Sequence, residues 1–116
     1  MRRFVRVLNS LSLALVLAWS TTSVAHQLSV FAWVEEDAVL VEARLPKGKH
    51  PKLGDVLVYD GNDQLVLKTR LQPDGTASFP LDNWEKGFRI VVDMGHGHQA
   101  FWILTPLDIQ QQRDGQ

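Results

Sequence analysis

The composition of this chain of 116 residues already excludes several classes of protein. Its 12 lysine and arginine residues face 13 aspartate and glutamate residues, for a net charge of −1. Without the three arginines among the first six residues the balance is 9 against 13, and this charge of −4 argues against nucleic acid or anionic lipid as a partner. There is no cysteine, which rules out a disulfide framework and a thiol nucleophile. At this length we expect one small domain.

The first 25 residues have the pattern of a secretory leader. Three arginines among the first six residues precede an apolar run from Leu11 to Trp19, and Ser23 and Ala25 supply the small residues of a cleavage site. An uncleaved anchor helix is the alternative, but the run falls short of the ~20 residues that a membrane-spanning helix needs. We therefore predict a signal peptide over residues 1–25, a periplasmic location and a mature chain that begins at His26 and has no membrane span.

The rest of the chain predicts short strands separated by turns. Alternating apolar residues and β-branched runs indicate seven strands, over residues 27–34, 38–45, 55–60, 64–70, 76–81, 88–93 and 99–105. Gly61-Asn62-Asp63 is a strong hairpin signal between the third and fourth strands, and residues 94–98 link the last two. This spacing favours an all-β fold, a single antiparallel β-sandwich of immunoglobulin-like or transthyretin-like type.

Two further expectations concern packing and the C-terminus. Trp33 and Trp102 lie within predicted strands, so we expect them to supply much of the core packing. The domain should extend over residues 26–106. The segment 107–116 is polar and poor in apolar residues, and we expect it to be disordered.

The sequence offers few residues for catalysis. It contains no G-x-S-x-G elbow, no phosphate-binding glycine loop and no H-E-x-x-H motif. Acidic residues fall mostly in predicted turns, where they are common turn formers. Asp93, beside the loop that holds two histidines, is the one acidic residue with a second interpretation. We therefore expect a binding protein and not an enzyme.

The histidines carry the most information about function. His96 and His98 are separated by Gly97, and an extended backbone would point both imidazoles to the same side. Imidazole suits zinc, copper, nickel and cobalt, and the neighbouring glycines would let the loop wrap around an ion. The alternative interpretation is an ordinary glycine-rich turn with incidental histidines.

His26 would strengthen such a site. If cleavage follows Ala25, this residue carries a free α-amino group and an imidazole, which can chelate one ion together. With His96 and His98 it would offer up to four nitrogen donors, provided that the first strand begins near the last hairpin. A frayed terminus is the alternative.

Three other residues remain open as ligands. His50 lies in a basic, proline-bracketed loop that is typical of a solvated connection. Met94 could donate a thioether to a soft ion such as Cu(I), although a methionine at a strand end more often contributes packing. Asp93, which directly precedes Met94, is the third.

Four segments resemble one protein family. They are residues 25–35 (AHQLSVFAWVE), 55–60 (DVLVYD), 73–81 (PDGTASFPL) and 89–102 (RIVVDMGHGHQAFW). Together they are similar to the small extracytoplasmic accessory proteins of nickel and cobalt uptake systems, which accompany ECF-type transporters of the Cbi and Nik kind. The middle of the chain, 53–81, also resembles carboxypeptidase-regulatory-like sandwich modules, a less specific pattern.

The resemblance implies a cargo and a partner. Such accessory proteins are thought to present Ni(II) or Co(II) to a membrane-embedded transporter subunit. Carried over to this chain, it implies His26 and His98 as ligands, with His96 a further donor where methionine is usual. This sequence departs from some members because it lacks a C-terminal membrane helix.

Three other functions remain open. The same nitrogen donors would hold Cu(II) at least as tightly as nickel, so a copper carrier is one alternative. A structural sandwich that docks through an edge strand, with no role for metal, is the second. The third is a copper enzyme with an N-terminal histidine chelate, which the small size disfavours.

Overall fold

The structure is a computed structural model that describes residues 27–115. It confirms the all-β prediction: within that range the chain forms seven β-strands and one α-helix. The strands are β1 Ser29–Glu35, β2 Ala38–Arg44, β3 Asp55–Asp60, β4 Leu65–Arg70, β5 Thr76–Pro80, β6 Phe88–Asp93 and β7 Gln99–Leu104. Pro46–Gly48 forms one turn of 3-10 helix, and the α-helix, α1, spans Pro106–Asp114.

The strands form two antiparallel sheets that pack as a sandwich. One sheet has the order β1-β2-β5 and the other has the order β4-β3-β6-β7. The predicted hairpins β3–β4 and β6–β7 are present, and β3 and β6 pair at the centre of the larger sheet. The chain crosses from one sheet to the other after β2, β4 and β5. Strands β1 and β7, one from each sheet, therefore become neighbouring edges on one side of the sandwich.

The core consists mainly of small aliphatic side chains. In β1 the period of two turns Val30, Ala32 and Val34 inward, and β2, β3 and β5 repeat this alternation. Phe79 and Phe88 join the sheets through an edge-to-face contact, with ring centroids 5.8 Å apart. No polar or charged side chain is buried among the residues that the structure describes, so hydrophobic packing holds the two sheets together.

The two strand tryptophans do not fill this core, contrary to expectation. Trp102 is 37% exposed, and its ring contacts Phe31 of β1 at 5.7 Å between centroids. Trp33 is half-buried, and its indole N–H donates to Glu35 at 3.4 Å. Both residues belong to edge strands, where a large ring can cover the seam between sheets without entering the space that valines already fill.

The C-terminal segment forms a helix, so the expectation of a disordered 107–116 tail is wrong over the described residues. Pro106 occupies the first turn, where its missing N–H costs nothing. Thr105 and Asp108 form a reciprocal capping box, with N–H···O distances of 3.0 and 3.1 Å. Ile109, one of the few apolar residues of the segment, is fully buried.

The helix is also tied to the sheet by polar contacts. The Gln112 side-chain oxygen accepts the backbone N–H of Val34 at 2.6 Å, at the open edge of β1. The Arg113 guanidinium lies over the Trp84 ring, 5.3 Å from its centroid. These contacts hold α1 on the sandwich even though most of its surface is polar. Within residues 27–115 the chain has no helix long and apolar enough to cross a membrane.

The buried position of Ile109 predicts a large effect of its truncation. We expect Ile109→Ala to lower the free energy of unfolding by about 2–5 kcal/mol, because it leaves a cavity where the helix meets the sandwich. Leu107→Ala, on the 61% exposed neighbour in the same helix, should change it by less than about 0.5 kcal/mol. Urea unfolding followed by circular dichroism measures both. Equal effects in the two variants would contradict the docking of α1.

Candidate metal site

The histidine loop is a tight turn and not an extended segment. The His98 N–H donates to the Gly95 carbonyl at 3.0 Å, and the two residues between them, His96 and Gly97, have φ values of 56° and 80°. Positive φ at both central positions is the requirement of a type I′ hairpin turn. The expectation that an extended backbone points both imidazoles to one side is therefore wrong.

Asp93 has a structural role in this turn. Its Oδ1 accepts the backbone N–H of Gly95 at 2.7 Å, which is an Asx turn that helps the chain leave β6. Gly95 has a φ of 87°, in the left-handed region that glycine adopts without steric cost. These contacts account for the position of Asp93 without a ligand.

A pocket lies at the end of the sandwich next to the turn. It has a volume of about 290 Å³, and its lining residues are Leu28, Leu45, Met94 and His98. Leu28 leads into β1, Leu45 follows β2, and the other two flank the turn between β6 and β7. We call this space the end pocket. Its lining shows that the start of β1 lies beside the last hairpin, which is the condition that a site including His26 requires.

His26 itself lies outside the described residues. It precedes Leu28 by two positions, and two residues of chain span at most about 7 Å.

The structure separates the two hairpin histidines. Both are exposed, but of the two only His98 lines the end pocket, while His96 occupies the left-handed position of the turn. No group of three or more histidine, aspartate and glutamate side chains within residues 27–115 could hold a metal ion. His98 and Met94 are thus the donors that the described residues bring together.

His50 belongs to another contact. A Cβ placed on Gly75 would lie 2.8 Å from the His50 Cβ, so the histidine packs directly on the turn that precedes β5. In that turn the Asp74 carboxylate accepts the Thr76 hydroxyl at 2.6 Å and the Thr76 N–H at 3.1 Å. These bonds to Thr76 lower the pKa of Asp74, and the nearby His50 adds a small effect in the same direction.

A second depression adjoins the residues that lead from β6 into the turn. It has a volume of about 280 Å³, and its walls include Leu53, Asp55, Arg70, Asp93 and Met94. The Arg70 guanidinium stands 4.0 Å from the Asp55 carboxylate, so one of its acidic groups is already partnered by a cation. Of the residues described, Met94 lines both spaces, whereas Asp55 and Asp93 line only this second one and His98 lines only the end pocket.

The histidines can be identified from the sequence, but the residues that surround them cannot. Leu28 and Leu45 belong to different segments, and only the packing of the two sheets brings them to the same pocket.

Comparison with protein-family models, with curated proteins and with solved structures finds no match for this chain.

The hydrogen bonds at Asp74 predict a pH-dependent contribution to stability. Since the pKa of Asp74 is lower in the folded chain than in the unfolded one, its contribution is present above the unfolded value of about 3.9 and is lost as pH falls through the folded value. Asp74→Asn should flatten this part of the acid limb in thermal melts between about pH 2 and 5.

Thr76→Val, which removes the hydroxyl donor and keeps the branched shape, should reproduce part of the same flattening. An acid limb identical to that of the wild type in both variants would contradict the assignment.

Proposed function

We propose that this chain is a periplasmic metal-binding protein that captures a late divalent ion, Ni(II) or Co(II), and presents it to a membrane uptake transporter. The single observation that carries the proposal is that His98 and Leu28 line one pocket. A mature chain that begins at His26 would start within reach of the His98 imidazole.

The donor set suits late divalent ions. In a mature chain, the α-amine and imidazole of His26 form one chelate, and His98 adds a third nitrogen. An α-amine has a pKa of about 7.7–8.0, so a metal ion displaces its proton at small cost near neutral pH. His96 lies two residues away at the tip of the turn and is an optional fourth donor.

The position of the site suits delivery better than storage. His98 is exposed, and the end pocket opens at one end of the sandwich, beside the glycine-containing turn at residues 94–98. Water can complete the coordination of an ion held there, so a partner can replace that water and take the ion by ligand exchange. Transfer of this kind requires no catalytic group.

The choice of nickel or cobalt rests on the resemblance to the Cbi and Nik accessory proteins. Nitrogen donors alone would bind Cu(II) more strongly than either ion, according to the Irving–Williams order. A copper carrier is therefore the second candidate, and the Met94 thioether beside His98 is the observation that favours it.

Cleavage after Ala25 is the first requirement of this function. We expect the full chain, expressed in a bacterium, to appear in the periplasmic fraction with an intact mass that begins at His26. Ala25→Lys places a long charged residue in the cleavage position and should leave the unprocessed chain in the membrane fraction. An unprocessed wild-type chain would contradict the chelate.

Metal titration of the exported protein tests the site. We expect one equivalent of Ni(II) or Co(II) to bind in a calorimetric titration, and His98→Ala to weaken that binding at least tenfold. An added alanine before His26, which moves the α-amine away from the imidazole, should do the same. His50→Ala is the matched control, because His50 packs on the turn at Gly75, and it should leave the affinity within about twofold.

The pattern of loss distinguishes the candidates. Loss of Ni(II) or Co(II) binding in both His98→Ala and the protein with an added alanine before His26 supports the N-terminal site. Nitrogen donors alone should bind Cu(II) more tightly, and both changes should weaken that binding too. Absence of binding, or binding indifferent to both changes, would contradict metal delivery and favour a docking module.

A further inference from the structure

Met94 holds the only sulfur atom of the chain after residue 1. The sequence has no cysteine and two methionines, Met1 and Met94, so a mature chain that begins at His26 contains a single thioether. The structure places this thioether-bearing residue in the wall of the end pocket together with His98.

The register of the hairpin explains why these two side chains meet. Asp93 pairs with Gln99 as the last rung of the β6–β7 ladder, and the Met94 N–H donates to the His98 carbonyl at 2.8 Å one step further on. Directly opposed residues place their side chains on the same face of a hairpin, and successive rungs alternate between faces. Val92, one rung before Asp93, is fully buried in the core, and beyond the end of the ladder Met94 and His98 both line the end pocket.

The walls of the pocket determine which ion such a pair favours. Leu28 packs against the hydrophobic core, and with Leu45 it makes the remaining lining apolar. Both donors are neutral, since a thioether carries no charge and an imidazole binds metal in its neutral form. Apolar walls and neutral donors favour an ion of low charge, because the cost of removing an ion from water rises with its charge.

We propose that Met94 and His98 form a ligand pair for a soft monovalent ion, Cu(I), within the end pocket. Thioether ligands select Cu(I) over the harder divalent ions, and imidazole is a good partner ligand for copper. The inference uses the same pocket as the proposed function and rests on it only for His98. It does not depend on His26 or on cleavage of the leader, because both donors lie on the described hairpin.

Silver is the probe for this pair, since Ag(I) shares the charge and softness of Cu(I) and does not cycle between oxidation states. The full chain is produced with ¹³C-methyl methionine and titrated with Ag(I). We expect the Met94 methyl signal to shift and to saturate at one equivalent. With Cu(I) in place of Ag(I), the X-ray absorption spectrum of the copper should show a sulfur ligand. Met94→Leu should remove this sulfur contribution.

The variants separate this inference from the proposed function. Met94→Leu keeps the volume and apolar character of the side chain, so the fold should be retained. It should weaken Ag(I) binding at least tenfold and leave Ni(II) binding within about twofold. His98→Ala should weaken the binding of both ions.

Two results would overturn the pair. One is a Met94 methyl signal that does not respond to Ag(I), and the other is an Ag(I) affinity unchanged by Met94→Leu or by His98→Ala. The proposed function would be judged separately, because its readout is the loss of Ni(II) or Co(II) binding in the His98 and N-terminal variants.

Discussion

The contact between the edge strands β1 and β7 determines how the two ends of the site meet. These strands belong to different sheets, and the tilted contact of Phe31 with Trp102 joins them across the seam. Since β1 begins at the same end of the sandwich as the β6–β7 turn, this seam places Leu28 beside His98. Aromatic side chains at the rim thus hold the start of β1 beside the hairpin, while the valine core keeps the two sheets together.

Most of the fold could be predicted because strands and hairpins have local signals. Alternation in β1 and the Gly61-Asn62-Asp63 turn identify elements within a few residues. Helix α1 was missed because its docking depends on one buried isoleucine and on a cap that a polar composition conceals. The end pocket was missed because it depends on how two sheets pack. The histidines and the Met94 thioether were identified from the sequence alone, but the left-handed turn at His96 and the pocket that Met94 shares with His98 depend on the folded structure. The participation of His26, the export of the chain and the identity of the ion remain predictions.

The turn at residues 94–98 combines rigidity with access. Asp93 and the Met94–His98 bond fix its base, whereas His96 adopts a left-handed conformation that costs a residue with a side chain roughly 1–2 kcal/mol relative to glycine. The base of the turn therefore holds Met94 and His98 in a defined position, and its tip extends His96 into solvent. In the proposed site, an ion would bind at the base of the turn, and the His96 imidazole at the tip would remain accessible to a partner protein.

The hydrogen bond between Gln112 and Val34 covers part of the open edge of β1. An open strand edge presents unsatisfied amide groups, which can recruit the strand of another chain and begin an aggregate. The valine-rich β1 has such an edge, and a glutamine from the terminal helix occupies one of its donors at 2.6 Å. Helix α1 thus covers part of the open edge of β1, and its removal would expose this backbone donor to pairing with the strand of another chain.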